Sequence, residues 1–248
     1  MTSAHTRPVA LITGASRRVG AVVARTLHGA GYDLALHYRH SRNEAQALAQ
    51  ELEAHRPHST LLLQADLADL SALPRLIEQL LAFFGRLDAL INNASAFYAT
   101  PLDRATPTQW SELFASNAQA PFFLTQAAIP ALRQTRGGIV NMLDIYAERP
   151  LAGYTLYCMA KAALAAMTRS LALELGPDIR VNGIAPGAVL WPAEGKNAQE
   201  QQELLSRTPL RRAGTPEDVA SAILWLLRDA HYTTGQVIHV DGGRMLSI

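Results

Sequence analysis

The chain has 248 residues, 49% of them apolar and 17% charged, enough to bury one sizeable core and unlike the composition of a disordered protein. Its formal net charge is +1, with acids and bases spread along the sequence. That leaves no basic stripe for nucleic acid and no polybasic patch for a membrane surface, so small molecules and further copies of the chain are the expected partners. The single cysteine, Cys158, excludes an internal disulfide or a cysteine metal cluster, residues 1–8 lack an apolar signal core, and no run approaches a spanning helix. A cytoplasmic protein forming one domain over residues 1–248, without a metal, is expected.

Short apolar runs alternate with longer amphipathic stretches, the rhythm of a parallel sheet covered on both faces. The first strand, Val9–Ile12, ends at Thr13-Gly14 and feeds a helix over 19–30 that stops at Gly31. A second strand, Asp33–Tyr38, precedes a helix over 43–55, and a third, Thr60–Gln64, leads to Asp66 and Leu67. Residues 70–84 read as helix, 89–91 as the fourth strand, and 108–133 as a long helix interrupted or bent near Pro121 and Pro130. The fifth strand is expected over 139–143, a helix over 154–175, a sixth strand over 180–184, a helix over 216–227 and a last strand at Val237–Val240. Residues 187–208, rich in polar groups with little strand pattern, read as a flap containing a short helix. The expected fold is α/β, a doubly wound parallel sheet of about seven strands.

In such sheets ligands settle beyond the carboxyl ends of the strands, where the next helix begins and its free N–H groups favour an anion. Thr13-Gly14-Ala15-Ser16-Arg17-Arg18-Val19-Gly20 occupies that position. Gly14 permits a tight exit from the strand and Gly20 a close packing of the helix, leaving Ser16 and Arg17 facing a pyrophosphate. A dinucleotide-binding chain normally carries an acid near the end of the second strand to hold the ribose hydroxyls. Here the sequence is His37-Tyr38-Arg39-His40-Ser41, without an acid to repel a phosphate. Arg39, Arg17 and nearby hydroxyls suit a 2′-phosphate, so NADPH is preferred to NADH; a solvated basic loop is the alternative.

Joined by Asn92-Asn93-Ala94, Tyr157-Cys158-Met159-Ala160-Lys161 and Pro186-Gly187, these pieces resemble the short-chain dehydrogenase/reductases over nearly the whole chain. The resemblance implies a Rossmann-type sheet, with Asp66, Leu67, Asn93, Ala94, Ser95, Pro186 and Gly187 joining the phosphate turn as dinucleotide-binding candidates. Tyr157 and Lys161 lie one helical turn apart, and the ammonium is expected to lower the phenol's pKa so that it relays protons near neutrality. The family's relay continues through an asparagine that Asn117 matches; a buried structural amide is the alternative reading of Asn117. The usual family serine lies about thirteen residues before the tyrosine, where this chain has Asp144. A hydroxyl suits a ketone oxygen, whereas an acid suits pairing with nitrogen atoms and supplying a proton.

Within the family the chain looks like pteridine reductases at Ser16-Arg17-Arg18-Val19-Gly20, at residues 37–41, at Asn92-Asn93-Ala94-Ser95-Ala96-Phe97-Tyr98 and at Asp144. That implies NADPH-dependent reduction of a dihydropterin or dihydrofolate. The flat ring would stack on Phe97 amid Ser95, Arg18, Asp144 and Tyr157, with Leu190 near its side chain. Carbonyl or 3-oxoacyl reduction is the alternative within the family, and non-catalytic NADPH binding the alternative outside it. The chain departs from protozoan pteridine reductases in the order Arg39-His40, in lacking their long insertions, and at Val189-Leu190-Trp191-Pro192. Family members commonly pair two long helices to form tetramers, which makes residues 110–132 and 157–175 the candidate interface elements of a homotetramer.

Overall fold

The computed structural model describes residues 6–189 and 197–247. Seven parallel strands form one sheet in the order β3-β2-β1-β4-β5-β6-β7, the Rossmann-like arrangement expected. They are β1 (Val9–Ile12), β2 (Asp33–Tyr38), β3 (Thr60–Gln64), β4 (Ala89–Asn92), β5 (Gly138–Met142), β6 (Arg180–Pro186) and β7 (Val237–Val240). The pleat sorts the apolar residues cleanly. Ala10, Ile12, Leu34, Leu36, Ala89 and Ile91 face a layer built from α1 (Arg18–Gly29), α2 (Arg42–His55) and α8 (Pro216–Arg228). Val9, Leu11, Ala35, Leu90, Ile139 and Val181 face α3 (Ala72–Phe84), α5 (Ala120–Thr135) and α6 (Thr155–Leu175). Burial on both faces is why the central strands read as continuous apolar runs.

The expected long helix over 108–133 is resolved into three pieces: α4 (Pro107–Phe114), a π-helical turn (Ala115–Gln119) and α5. Thr106 starts α4 with a reciprocal capping box to Gln109 and a proline at the first turn. The break lies before Pro121 for two reasons. Pro121 has no N–H for the carbonyl four residues back, that of Asn117, and the Asn117 side chain itself donates to Leu113 O at 2.9 Å. Pro130, by contrast, lies within α5 without ending it. In the polar stretch before α8 the short helix is α7 (Ala198–Ser206), capped by Asn197 and Glu200.

Strand order reverses at β1, whose neighbours are β2 and β4. The crevice beyond the carboxyl ends of β1 and β4 is therefore the topological switch point where ligands of such sheets bind. Among the described residues no helix is long and apolar enough to cross a membrane.

Candidate active site

The turn after β1 is held from two sides. Gly14, at φ +62°, donates its N–H to His37 Nδ1 at 3.2 Å, while Ala15 N–H donates to His37 O at 2.9 Å. Asn93, just past β4, donates its side-chain amide to Thr13 O at 2.8 Å and Gly14 O at 3.1 Å. Thr13 Oγ1 accepts from Asn93 N–H and Ala94 N–H at 2.9 and 3.0 Å. Gly20 closes the turn: a Cβ there would lie 2.2 Å from Gly14 O. Arg17 precedes α1 without a side-chain cap, so the first amides of the helix are left for an anion. Arg18 adopts φ +53°, the left-handed region in which glycine is unstrained. Val19 packs against the core beneath. A glycine cradle and an uncapped helix start fit the pyrophosphate of a dinucleotide.

At the far corner the basic segment divides. His37 and Tyr38 are buried, and both His37 ring nitrogens are spent on protein atoms, so the ring is not presented to a phosphate. Arg39 and His40 are exposed and Ser41 precedes α2. The sequence suggested that no acid reaches this corner, but Asp66 does: its carboxylate lies 3.1 Å from Arg39. The β2–β3 register, which sets Tyr38 beside Gln64, brings them together. Both side chains are about half exposed, so this pair is worth roughly 0–1 kcal/mol and yields readily to a stronger anion. Arg17 lies 3.6 Å from Glu44 at the start of α2. Leu67 is buried beside Asp66.

The reacting groups gather beyond β5. Asp144 caps a single 3-10 turn (Ile145–Ala147): one carboxylate oxygen accepts Tyr146 N–H at 3.0 Å, and the other accepts the Tyr157 hydroxyl at 2.8 Å. Tyr157 and Lys161 project from one face of α6, 4% and 2% exposed. Lys161 Nζ donates to Met142 O at 2.7 Å and stands 5.7 Å from the centre of the Tyr157 ring. Burial lowers the Lys161 ammonium to about 8, opposed by Asp144. Burial also raises the Asp144 carboxyl, opposed by the Tyr146 amide, the Tyr157 hydroxyl, Lys161 and Arg244. The expected lowering of Tyr157 by Lys161 is not what this geometry gives. Burial first, then the Asp144 charge, hold the phenol well above its ordinary value, with Ser95 opposing them.

Asn117 is completely buried, and its side chain is spent on the loop after β4. Oδ1 accepts from Ser95 Oγ at 2.7 Å, while Nδ2 donates to Ala96 O and Leu113 O at 2.9 Å each. The amide thus fixes Ser95 beside Tyr157 rather than reaching Lys161. Phe97 is 40% exposed at the rim, stacked on Tyr154 (4.7 Å, 14°) and edge-on to Tyr157 (4.8 Å, 76°). Two neighbours carried no sequence signal: Tyr154, and Arg244, whose guanidinium lies 3.4 Å from the Tyr146 hydroxyl across the β6 to β7 end. Pro186 ends β6, and Gly187 donates to Val240 O at 3.0 Å; a Cβ on Gly187 would lie 2.8 Å from Asp241 Cα. Leu190 lies outside the described residues.

A dinucleotide cradle at the switch point, with a tyrosine and lysine one helical turn apart beside it, defines a nicotinamide-dependent oxidoreductase. The chain belongs to the short-chain dehydrogenase/reductase family. A family model described as Enoyl-(Acyl carrier protein) reductase matches residues 14–244. Pteridine reductase 1 of Leishmania tarentolae is 38% identical, over all of this chain and 99% of that protein. That alignment runs to 288 positions, so the relative carries insertions this chain lacks. A putative ketoacyl reductase 2 of the granaticin polyketide synthase of Streptomyces violaceoruber is also 38% identical, over 99% of both chains. The 3-oxoacyl-(acyl-carrier-protein) reductase FabG of Staphylococcus aureus is 34% identical, over 94% of this chain and 96% of that protein.

Proposed function

We propose that this protein reduces dihydropterins to tetrahydropterins at the expense of NADPH. The observation that carries the reading is the carboxylate of Asp144, 2.8 Å from the Tyr157 hydroxyl. A carboxyl at this place pairs with ring nitrogens of a heterocycle, which the hydroxyl of a carbonyl reductase does far less well. The part-exposed Phe97 suits a flat ring, with Tyr157 edge-on to it and Ser95 beside Tyr157, and on this reading Arg18 would meet the ring's edge. NADPH, when bound, supplies the hydride. Tyr157 donates the proton to the nitrogen of the reduced C=N bond, Asp144 orients and recharges the phenol, and Lys161 holds the nicotinamide end of the cofactor. Ser16, Arg17 and the α1 amides take the pyrophosphate. Arg39, released from Asp66, takes the 2′-phosphate together with His40 and Ser41.

Carbonyl or 3-oxoacyl reduction is the second reading, favoured by the ketoacyl and oxoacyl reductases among the relatives. NADPH oxidation with 7,8-dihydrobiopterin, dihydromonapterin, dihydrofolate and a simple ketoester, each against Tyr157→Phe, separates the two. Tyr157-dependent turnover of a dihydropterin is expected. Turnover of the ketoester alone moves the protein to the carbonyl reductases, and dinucleotide binding without any turnover makes it a binding protein. The same preparation tests assembly. Phe122, Phe123, Met159 and Leu173 leave apolar surface exposed on α5 and α6, and we propose that these helices pair in a homotetramer. A monomeric mass in solution rejects that.

A further inference from the structure

His37 is the group at the dinucleotide site whose chemistry the proposed reaction does not use. Its ring, at the carboxyl end of β2, is 2% exposed and has a partner for each nitrogen. Nδ1 stands 3.2 Å from the Gly14 amide, which can only donate, so Nδ1 carries no proton. Nε2 stands 3.1 Å from the Ala65 carbonyl oxygen, which can only accept, so Nε2 carries the proton. The partners together select one neutral tautomer. Burial reinforces that choice by lowering the ring to about 4, against the pull of the Ala65 carbonyl and of Asp66.

The ring's reach matters as much as its charge. It spans from the turn after β1, at Gly14, to the end of β3, at Ala65, crossing the end of its own strand. The peptide joining Thr13 to Gly14 is thereby held at both ends, its carbonyl by the Asn93 side chain at 2.8 Å and its N–H by His37. Gly14 sits at φ +62° in the middle of this clamp. Were its N–H unpaired, the peptide would be held at its carbonyl end alone, and the amides that follow it toward α1 would be less firmly aligned.

We propose that His37 is a positioning residue for the dinucleotide, which orients the phosphate turn by accepting the Gly14 amide and does not itself touch the cofactor. The inference requires only that a dinucleotide binds in this cradle and is independent of the substrate that is reduced.

Two variants divide the ring's functions. In His37→Asn the side-chain oxygen takes the place of Nδ1 and still accepts from Gly14, but nothing reaches Ala65. In His37→Gln the amide nitrogen takes the place of Nε2 and still donates to Ala65, but no acceptor faces Gly14. Each variant loses one hydrogen bond, so their thermal midpoints without cofactor should agree within about 3 °C, as expected for net bond energies that differ by less than roughly 1 kcal/mol. Calorimetric titration with NADPH should show His37→Asn within about threefold of the parent and His37→Gln weaker by about tenfold or more. Equal weakening in both variants, or none in either, overturns the proposal, because a ring that only fills space does not distinguish the two ends. Should either variant fail to fold, nitrogen-15 spectra of the imidazole in the unaltered protein decide the matter. An unprotonated Nδ1 with a protonated Nε2 at pH 7 is expected, and the opposite tautomer or an imidazolium overturns the assignment.

Discussion

Replacing Gly20 with alanine tests whether the phosphate turn depends on close approach rather than on glycine's flexibility. Gly20 lies inside α1, and its added Cβ would stand 2.2 Å from Gly14 O, 2.7 Å from Asn93 Nδ2 and 3.1 Å from Ala15 Cα. Two of these neighbours are backbone, so neither can swing away. Forcing them apart costs about 1–3 kcal/mol, as for overpacking in a core. Displacing the Asn93 amide also forfeits its bonds to Thr13 O and Gly14 O, each worth about 1 kcal/mol net. Alanine's better helix propensity returns about 1 kcal/mol. The balance is a loss of about 3 kcal/mol, or a midpoint lowered by roughly 6–12 °C for a chain of this size. Gly29, in the last turn of the same helix, has nothing within 4 Å of its virtual Cβ, so Gly29→Ala should be neutral or stabilising. Thermal melting by circular dichroism and an NADPH titration on both variants provide the comparison. If Gly20→Ala melts and binds like Gly29→Ala, the close approach carries no energy and the reasoning fails.

Other perturbations address the charges. The buried Lys161 ammonium titrates at about 8 instead of its ordinary 10.5, so kcat/KM of the free enzyme should fall as pH rises through about 8, and a profile flat to pH 10 contradicts this. His37 is neutral in the folded chain down to about 4 but charges near 6.5 when unfolded. The folded state therefore loses stability as pH falls from about 6.5 towards 4, by about 2–3 kcal/mol at pH 4.5. The stability of the parent relative to His37→Asn in urea should fall by that amount between pH 7 and pH 4.5, enough to reverse the order of the two. Asp144→Asn keeps a side chain of the same shape while removing the charge, and should lower dihydropterin turnover by about 100-fold with NADPH affinity unchanged. Asp144→Ser with improved ketoester turnover and undiminished dihydropterin turnover would falsify the assigned substrate class.

The strands were legible because burial on both faces leaves continuous apolar runs, and the turn was legible because Gly14 and Gly20 bracket it between a strand and a helix. Tyr157 and Lys161 were equally plain, since their spacing fixes their common face once α6 is recognised. What escaped depends on pairs distant in sequence. Arg39 and Asp66 meet only through the β2–β3 register, and His37 finds Gly14 and Ala65 only because three strand ends lie side by side. Pro121 announced a discontinuity, but its form as a π turn also depends on the Asn117 side chain holding Ala96 and Leu113. Phe97 showed its aromatic character in the sequence while its partner Tyr154, 57 positions later, did not.

The Tyr157 phenol lies above its ordinary pKa, not below it as its spacing from Lys161 predicts, for a reason that bears on the chemistry. With a serine in place of Asp144, the phenol would face neutral hydroxyls, that of Ser95 included, and the Lys161 ammonium, and the field would favour its anion. Asp144 puts a carboxylate within 2.8 Å, whereas the ammonium stands 5.7 Å from the ring and is bonded to Met142 O. Burial, by penalising any phenolate, raises the phenol most, and the Asp144 charge adds to it. The resting site therefore stores its proton on Tyr157 instead of surrendering it to solvent. A protonated phenol is the form needed to donate to a nitrogen receiving hydride at the neighbouring carbon, and the wrong form to abstract a proton from an alcohol. On the proposed reading, the same substitution that selects a nitrogen heterocycle also biases the enzyme towards reduction.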